Sequence, residues 1–223
     1  MPFIIVHTFV GLQYEKGKWH INGCSFPDAI HLVDDDLGHH KMRRLVALLE
    51  KKKVNQHFIN GMKTHLALDK YFHQRYIFPK REILAKEFDI PVRTAEGYIE
   101  VALDMIYDNK YPKIKEKIRE AAKLYNIKRM VSYISLVTES PKSQIEKALN
   151  DSIKVITRKN PYSVISIIRN SLLLKQYSKL PTRSYKVFDV GKIHKRAMEI
   201  LKPDCEKEID LAIKRVRVLR NKI

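Results

Sequence analysis

Helical periodicity, sparse glycine and prolines placed at helix starts together predict an all-α fold for this chain. Between residues 41 and 53 the apolar side chains lie at three- and four-residue spacing, the pattern of a helix with one buried face. Ser140-Pro141 and Asn160-Pro161 each pair a capping residue with a proline that fits a first helical turn. With 7 glycines and 9 prolines in 223 residues, few positions interrupt such helices.

Local end signals predict the remaining elements. Pro79 fits the first turn of a helix, and Thr94 and Asp189 are candidate N-caps. Residues 1–10 form either a short strand or the start of a helix, and the glycines within residues 11–23 predict a loop. The predicted helices cover residues 28–37, 41–53, 57–75, 80–88, 94–111, 113–125, 128–137, 141–156, 162–177, 189–201 and 203–221, with 180–188 irregular.

Charge is distributed unequally between the two halves of the chain. Residues 1–108 hold 15 Lys/Arg against 14 Asp/Glu, whereas residues 109–223 hold 28 against 11. Eight of the nine histidines lie at or before His73. We therefore predict a helical metal-site half at 1–112 and a basic helical half at 113–223, with one continuous domain as the alternative.

The sequence also predicts a cytoplasmic protein. The apolar run at residues 3–6 is too short for a signal-peptide core or a membrane span, and no other segment approaches about 18 apolar residues. Cys24 and Cys205 stand alone in the sequence, which argues against a disulfide framework and against a thiolate zinc cluster.

Two helices carry pairs of polar residues at four-residue spacing. His65 and Asp69 project from one face of the first helix, and Asp104 and Asp108 project from one face of the second. Two such helices packed face to face would gather one imidazole and three carboxylates. Nitrogen and carboxylate ligands suit Zn, Mn or Fe, and carboxylate-rich sites often hold two ions.

A structural role is the alternative for each of these pairs. A lone HxxxD is commonly a surface hydrogen bond, and DxxxD on an exposed helix is commonly solvated. Apolar residues such as Met62 and Leu66 beside the first pair, and Leu103 beside the second, favour carrying the acids inward, where a carboxylate needs a partner. Around Asp34, the residues His31, His39 and His40 are interpreted as a solvated loop, with a second divalent site as the alternative.

Four short motifs follow one another within residues 1–112. They are Phe3-Ile-Ile-Val-His7, Gly23-Cys-Ser-Phe-Pro-Asp28, Gly61-Met-Lys-Thr-His65-Leu-Ala-Leu-Asp69 and Asp104-Met-Ile-Tyr-Asp108-Asn-Lys-Tyr111. In kind, order and approximate spacing they resemble the acyl carrier protein phosphodiesterases, helical metal-dependent hydrolases related to the HD-type phosphohydrolases. The resemblance implies an HD-like helical bundle, here with a basic helical C-terminal extension.

The same resemblance implies a divalent metal and hydrolysis of a phosphodiester. Its first-choice ligands in this sequence are His7, Asp28, His65 and Asp108. Asp69 and Asp104 would be further ligands or the base that orients the attacking water. The metal would be Mn, Zn or Fe.

This chain departs from the family's pattern at two places. After the HxxxD aspartate the family has an acidic Thr-Asp-x-His-Pro-like stretch, where this chain has Tyr71-Phe72-His73-Gln74. The family also has a basic residue just after the helix histidine, where this chain has Leu66 and Ala67. These departures put in question the role of His73 and any phosphate contact from the second position.

The basic half predicts attraction to a polyanion. Cations crowd the last predicted helix at Lys214, Arg215, Arg217 and Arg220, and tyrosines interleave with Lys/Arg as in surfaces that stack on unpaired bases. Nucleic acid, an acidic carrier protein or an anionic membrane would each respond to this charge, and a solvated helical surface is the structural alternative. Two functions follow: a metal-dependent phosphodiesterase acting on an acidic substrate, or a non-enzymatic nucleic-acid-binding protein with a structural His/Asp cluster.

Overall fold

The computed structural model describes residues 4–31, 39–157 and 187–223, and in these ranges it contains helices and no strand. The prediction of an all-α fold is therefore confirmed. The α-helices are α1 (Ile4–Leu12), α2 (Lys18–His31), α3 (His39–Lys51), α4 (Gln56–Phe72), α5 (Phe78–Phe88), α6 (Val92–Lys110), α7 (Lys113–Ala122), α8 (Ile127–Ile134), α9 (Lys142–Thr157), α10 (Val187–Leu201) and α11 (Cys205–Leu219). A π-helical turn (His73–Ile77) joins α4 to α5, and a 3₁₀ turn (Arg220–Lys222) follows α11.

Several predicted boundaries need correction. The loop expected at residues 11–23 is short, because α1 continues to Leu12 and α2 begins at Lys18. Thr94 lies inside the first turn of α6, which Pro91 precedes as the N-cap, and Asp189 lies inside α10. The helix predicted at 162–177, most of the irregular segment 180–188 and the side chains of the loop histidines lie outside the described residues.

Helices α2 and α4 lie between two apolar cores and contribute to both. One core gathers side chains from α1, α2, α4, α5, α6, α7, α10 and α11 around residues such as Phe72 and Leu103. The other gathers side chains from α2, α3, α4, α8 and α9 around residues such as Phe26 and Phe58. The first core draws on helices from both sides of residue 112, so the metal-site half and the basic half share buried surface.

The crossing of α2 and α4 depends on two glycines. A Cβ atom added at Gly23 would overlap the carbonyl oxygen of Phe58 and lie 2.9 Å from the Cα of Gly61. One added at Gly61 would overlap the carbonyl oxygen of His20 and lie 2.8 Å from the backbone nitrogen of Cys24. The backbones of α2 and α4 are therefore in direct contact. A side chain at either glycine position would push the two helices apart.

The described helices were compared with the length and hydropathy that a membrane span requires. None of them is both long enough and apolar enough to cross a bilayer. The longest, α6, has 19 residues and carries several charges.

Replacing Gly61 by alanine should therefore destabilise the protein strongly. The obstructing atoms belong to backbone, which cannot rotate away, so we expect a loss of about 3 kcal/mol or more in the free energy of unfolding. Urea unfolding followed by circular dichroism measures this loss.

Gly97→Ala is the matched control for that substitution. Nothing lies within 4 Å of a Cβ built at Gly97 in α6, so alanine should instead stabilise the helix by about 0.5 to 1 kcal/mol. Equal effects of the two substitutions would show that the α2–α4 crossing tolerates a side chain.

Candidate metal centre

Three side chains from three helices form what we call the inner triad: His7 of α1, Asp28 of α2 and His65 of α4. One potential ligand atom from each lies within 4.8 Å of the other two. The two imidazole rings are buried and stacked, with centroids 3.8 Å apart and planes inclined by 11°. His65 Nε2 lies 3.9 Å from Asp28 Oδ1, and His7 Nδ1 lies 3.8 Å from Asp28 Oδ2.

A backbone hydrogen bond fixes the orientation of His65. Its Nδ1–H donates to the carbonyl oxygen of Cys24 at 2.7 Å, a bond that the close α2–α4 crossing makes possible. Nε2 then faces Asp28 and Asp69. This arrangement, with one ring nitrogen held by a carbonyl and the other turned toward carboxylates, is the one found in metal-binding histidines.

Asp69, one turn after His65 on α4, lies beside the inner triad. Its Oδ1 is 2.8 Å from His7 Nε2, and its Oδ2 is 2.9 Å from His65 Nε2. The His65 contact does not have hydrogen-bond geometry, so Nε2 is a buried nitrogen without a hydrogen-bond partner, and Asp28 Oδ2 is a buried oxygen in the same condition. Unsatisfied buried groups of this kind are costly unless a further ligand binds them.

A second set, the outer triad, lies on the other side of Asp69. It consists of His73 in the π-helical turn with Glu96 and Glu100 on α6, and its potential ligand atoms also lie within 4.8 Å of one another. His73 Nε2 is 3.4 Å from both Asp69 Oδ1 and Glu100 Oε1. Asp69 therefore touches imidazoles of both triads.

The carboxylates of this cluster lie mostly beside histidine imidazoles, which are charged only when protonated, rather than beside lysine or arginine side chains. Within the described ranges, no Lys or Arg lies within ion-pair distance of Asp28, Asp69 or Glu100, although Arg81 pairs with Glu96. These three buried or half-buried acids therefore lack a cationic ion-pair partner among the described residues, in a chain that has 43 Lys and Arg residues.

These contacts shift the pKa values of the cluster. Burial alone would lower the pKa of His65, but the adjacent Asp69 and Asp28 carboxylates raise it to about 9. Burial would raise the pKa of Asp69, but His65 and His7 hold it well below its ordinary value. Burial raises the pKa of Glu100 to about 8, with His73 opposing and Glu96 adding to the shift. Without a metal, protons must neutralise the cluster, and a divalent cation would compete with them.

The structure places Asp104 and Asp108 differently from His65 and Asp69. Asp104 Oδ1 accepts a hydrogen bond of 3.0 Å from the backbone N–H of Val6, the residue before His7. Asp108 pairs with Lys115, and neither aspartate belongs to the two triads found among the described residues. Asp104 thus anchors the first turn of α1 rather than offering both oxygens to an ion.

Glu96 and Glu100 were not among the site residues predicted from the sequence. The signal was present, because Glu96, Glu100, Asp104 and Asp108 continue one four-residue spacing along α6 and so lie along one side of it. His73 likewise extends the spacing of His65 and Asp69 by one further turn. On α6, only Asp104 and Asp108 were predicted to belong to a site.

The donor types fit a divalent cation. Ligands bound at about 2.0 to 2.2 Å around one ion lie roughly 3 to 3.5 Å apart, close to the 2.8–3.9 Å that separates neighbouring donor atoms here. Mixed nitrogen and carboxylate donors favour Zn, Mn or Fe over Ca or Mg.

The chain matches no protein-family model, and comparison with curated proteins and with solved structures also gives no match. The resemblance to acyl carrier protein phosphodiesterases therefore stays a prediction. The all-α fold class and the two triads are what the structure itself defines.

The contrast between Asp104 and Asp108 gives a direct test. Asp104→Ala removes the oxygen that accepts the hydrogen bond from the Val6 N–H, so His7 should lose its position and metal affinity should fall about 10-fold or more. Asp108→Ala removes a partner of Lys115 and should change metal affinity less than twofold.

Titration with a fluorescent competitor for Mn²⁺ or Zn²⁺ compares the two variants. A large loss of metal affinity in the Asp108 variant would instead indicate that Asp108 is a ligand, and would contradict the position of its side chain in the structure.

Proposed function

We propose that this protein is a metal-dependent phosphodiester hydrolase whose catalytic ion is held by His7, Asp28, His65 and Asp69. The observation that carries the proposal is the inner triad beside Asp69, where two buried imidazoles and two carboxylates converge with no Lys or Arg at ion-pair distance among the described residues. The resemblance of residues 1–112 to HD-type phosphohydrolases supports the same reaction class.

Each residue of the set has a definable role in this proposal. A bound divalent cation would supply Lewis acidity toward phosphoryl oxygens and would lower the pKa of a coordinated water. His65, oriented by the Cys24 carbonyl, would offer Nε2, and Asp28 would offer the oxygen that lacks a hydrogen-bond partner. Asp69 would bind the ion and, through its contacts with His7 and His65, would also hold both rings in position. Asp104 would act indirectly by anchoring Val6.

The surface of α11 supports an acidic substrate. Lys214, Arg215 and Arg217 are exposed, and in the described part of the chain no acidic side chain lies within ion-pair distance of them. The acids of the same helix lie in its first half, where Glu206 pairs with Lys110 and Glu208 with Arg75. Within the described ranges, the second half of α11 is therefore a cationic surface without acidic ion-pair partners for Lys214, Arg215 and Arg217.

Arg220 belongs to the same surface but is partly engaged. Its guanidinium lies 4.7 Å from the centroid of the Tyr14 ring, in a cation–π contact that ties the C-terminal 3₁₀ turn to the segment after α1. We call Lys214, Arg215, Arg217 and Arg220 the α11 basic surface. Such a surface draws polyanions by a long-range, salt-sensitive field.

The α11 basic surface also supports a second candidate, a nucleic-acid-binding protein whose His/Asp cluster is structural. The two functions differ in what they require of His65. Catalysis needs its Nε2, whereas binding of nucleic acid on α11 does not. The experiments below separate the two.

His65→Ala should abolish hydrolysis and lower metal affinity at least 100-fold, because the remaining carboxylates repel one another without a central nitrogen ligand. A chelator should lower the melting temperature of the wild type, since the bound ion stabilises the fold by mass action, and should leave the variant unchanged. Elemental analysis, thermal unfolding and hydrolysis of an aryl phosphodiester with Mn²⁺ or Zn²⁺ measure the three effects.

His57→Ala is the matched control on the same helix. His57 is mostly exposed and pairs with Glu15 rather than with the cluster, so its loss should leave metal content and hydrolysis unchanged. Full metal occupancy in the His65→Ala protein would refute the inner triad as the site.

Reversing charge on the α11 basic surface should weaken polyanion binding and flatten its salt dependence. For each duplex phosphate that the protein neutralises, the logarithm of the affinity should fall by about 0.9 for a tenfold rise in salt concentration. The double variant Arg215→Glu/Arg217→Glu should lose at least one such contact, so its slope should be smaller by about 0.9 or more. For the hydrolase, KM for a polyanionic substrate should rise with kcat nearly unchanged.

Lys51→Glu/Lys52→Glu changes the net charge equally at an exposed end of α3 and should have a much smaller effect. If the wild type binds no polyanion at low salt, the α11 basic surface is an ordinary solvated face. If His65→Ala binds nucleic acid normally while neither protein hydrolyses a phosphodiester, the binding function is the correct one.

A further inference from the structure

We propose that the cluster holds two divalent ions, and that the second is bound by His73 and Glu100 with Asp69 as the bridge to the first. This inference rests on the proposed metal-dependent function and names residues that the family resemblance does not supply. His73 occupies a position where this chain departs from the family's acidic stretch, and Glu100 lies outside the matching motifs.

Asp69 has the geometry of a bridging ligand. Its Oδ2 lies 2.9 Å from His65 Nε2, whereas its Oδ1 lies between the two sides, 2.8 Å from His7 Nε2 and 3.4 Å from His73 Nε2. His65, Asp69 and His73 follow at intervals of one turn on a single helix and its π-helical continuation, so their spacing is fixed by backbone. Two-metal hydrolase sites hold their ions about 3.5 to 4 Å apart, a separation that one carboxylate spans.

The contacts of His73 divide the outer triad into ligands and a positioning residue. Its Nδ1–H donates to Glu96 Oε1 at 3.2 Å, and the other oxygen of Glu96 pairs with Arg81. Both Glu96 oxygens are therefore engaged. His73 Nε2 is left facing Asp69 Oδ1 and Glu100 Oε1, each at 3.4 Å, which is the spacing of ligands around one ion.

The histidine of the outer site is oriented in the same way as the histidine of the inner one. In each site one ring nitrogen of the histidine is held by an oxygen, from Cys24 for His65 and from Glu96 for His73, and Nε2 points at Asp69. Arg81 in turn stacks on Phe78, with its guanidinium 3.8 Å from the ring centroid, and so fixes Glu96. The π-helical turn that begins at His73 is itself a form enriched at functional sites.

Charge is also compatible with two ions. Among the described residues the two triads and Asp69 contain four carboxylates, and Arg81 supplies the one guanidinium that pairs with them. When the imidazoles act as neutral ligands and every carboxylate is ionised, three negative charges remain. Two divalent ions would offset these charges and leave a net positive charge that attracts a phosphodiester anion.

Manganese loading tests the inference on the full-length protein. After gel filtration, the wild type should retain two Mn²⁺ per chain and show the EPR signal of an exchange-coupled pair. Glu100→Gln should retain one ion and lose the coupled signal. Glu96→Gln should keep two sites, with 10- to 100-fold weaker affinity at one of them, as expected for a positioning residue.

Glu116→Gln, an exposed isosteric change on α7, is the control and should behave as the wild type. Circular dichroism checks that each variant is folded, and anomalous diffraction at the manganese edge of wild-type crystals should show two peaks about 3.5 to 4 Å apart, independently of any variant.

The outcomes separate this inference from the proposed function. A single ion in the wild type, or two coupled ions in Glu100→Gln, overturns the second site, and the hydrolase proposal survives if the mononuclear protein cleaves phosphodiesters. Two coupled ions without hydrolysis of any phosphodiester support the second site and overturn the hydrolase. No bound manganese overturns both.

Discussion

The contact between the backbones of α2 and α4 at Gly23 and Gly61 is the constraint on which the rest of the molecule depends. It brings the Cys24 carbonyl to within 2.7 Å of His65 Nδ1 and sets Asp28 opposite the same ring. Both apolar cores are built against this helix pair, so the crossing distance is determined by buried surface on two sides. The candidate metal centre is thus a consequence of how closely two helices can approach.

A second constraint is the need to place His7 accurately although it lies near the start of the described chain, where segments are commonly frayed. Asp104 meets this need by accepting the Val6 N–H, which also satisfies a donor in the first turn of α1 that no helical carbonyl can reach. Stacking on His65 and the contact with Asp69 complete the restraint. A buried carboxylate on α6 therefore helps to position His7 through the backbone of the preceding residue.

The sequence predicted the fold class and part of the candidate site. Periodicity and proline position were sufficient for most helices, and four-residue spacing brought His65 and Asp69 together correctly because both lie on one helix. His7 and Asp28 required a family resemblance, since their meeting with His65 depends on tertiary packing. The hydrogen bond between the Val6 N–H and Asp104 could not be predicted, because it depends on how α1 packs against α6.

The buried cluster is rich in acidic side chains, whereas the α11 basic surface carries exposed cations. This difference affects how the protein would bind a substrate. The cationic residues lie largely in the second half of the chain. Among the described residues, the exposed Lys214, Arg215 and Arg217 of α11 have no acidic side chain within ion-pair distance, and in our proposal this surface would attract a polyanion. In the same ranges, Asp28, Asp69 and Glu100 of the cluster have no lysine or arginine within ion-pair distance, whereas Glu96 pairs with Arg81. Without a metal, protons would compensate these carboxylates, so the cluster would offer little positive charge to a phosphate group. In the proposed enzyme, divalent cations would replace those protons and supply that charge, so metal loading would decide whether the same molecule only binds polyanions or also hydrolyses a phosphodiester.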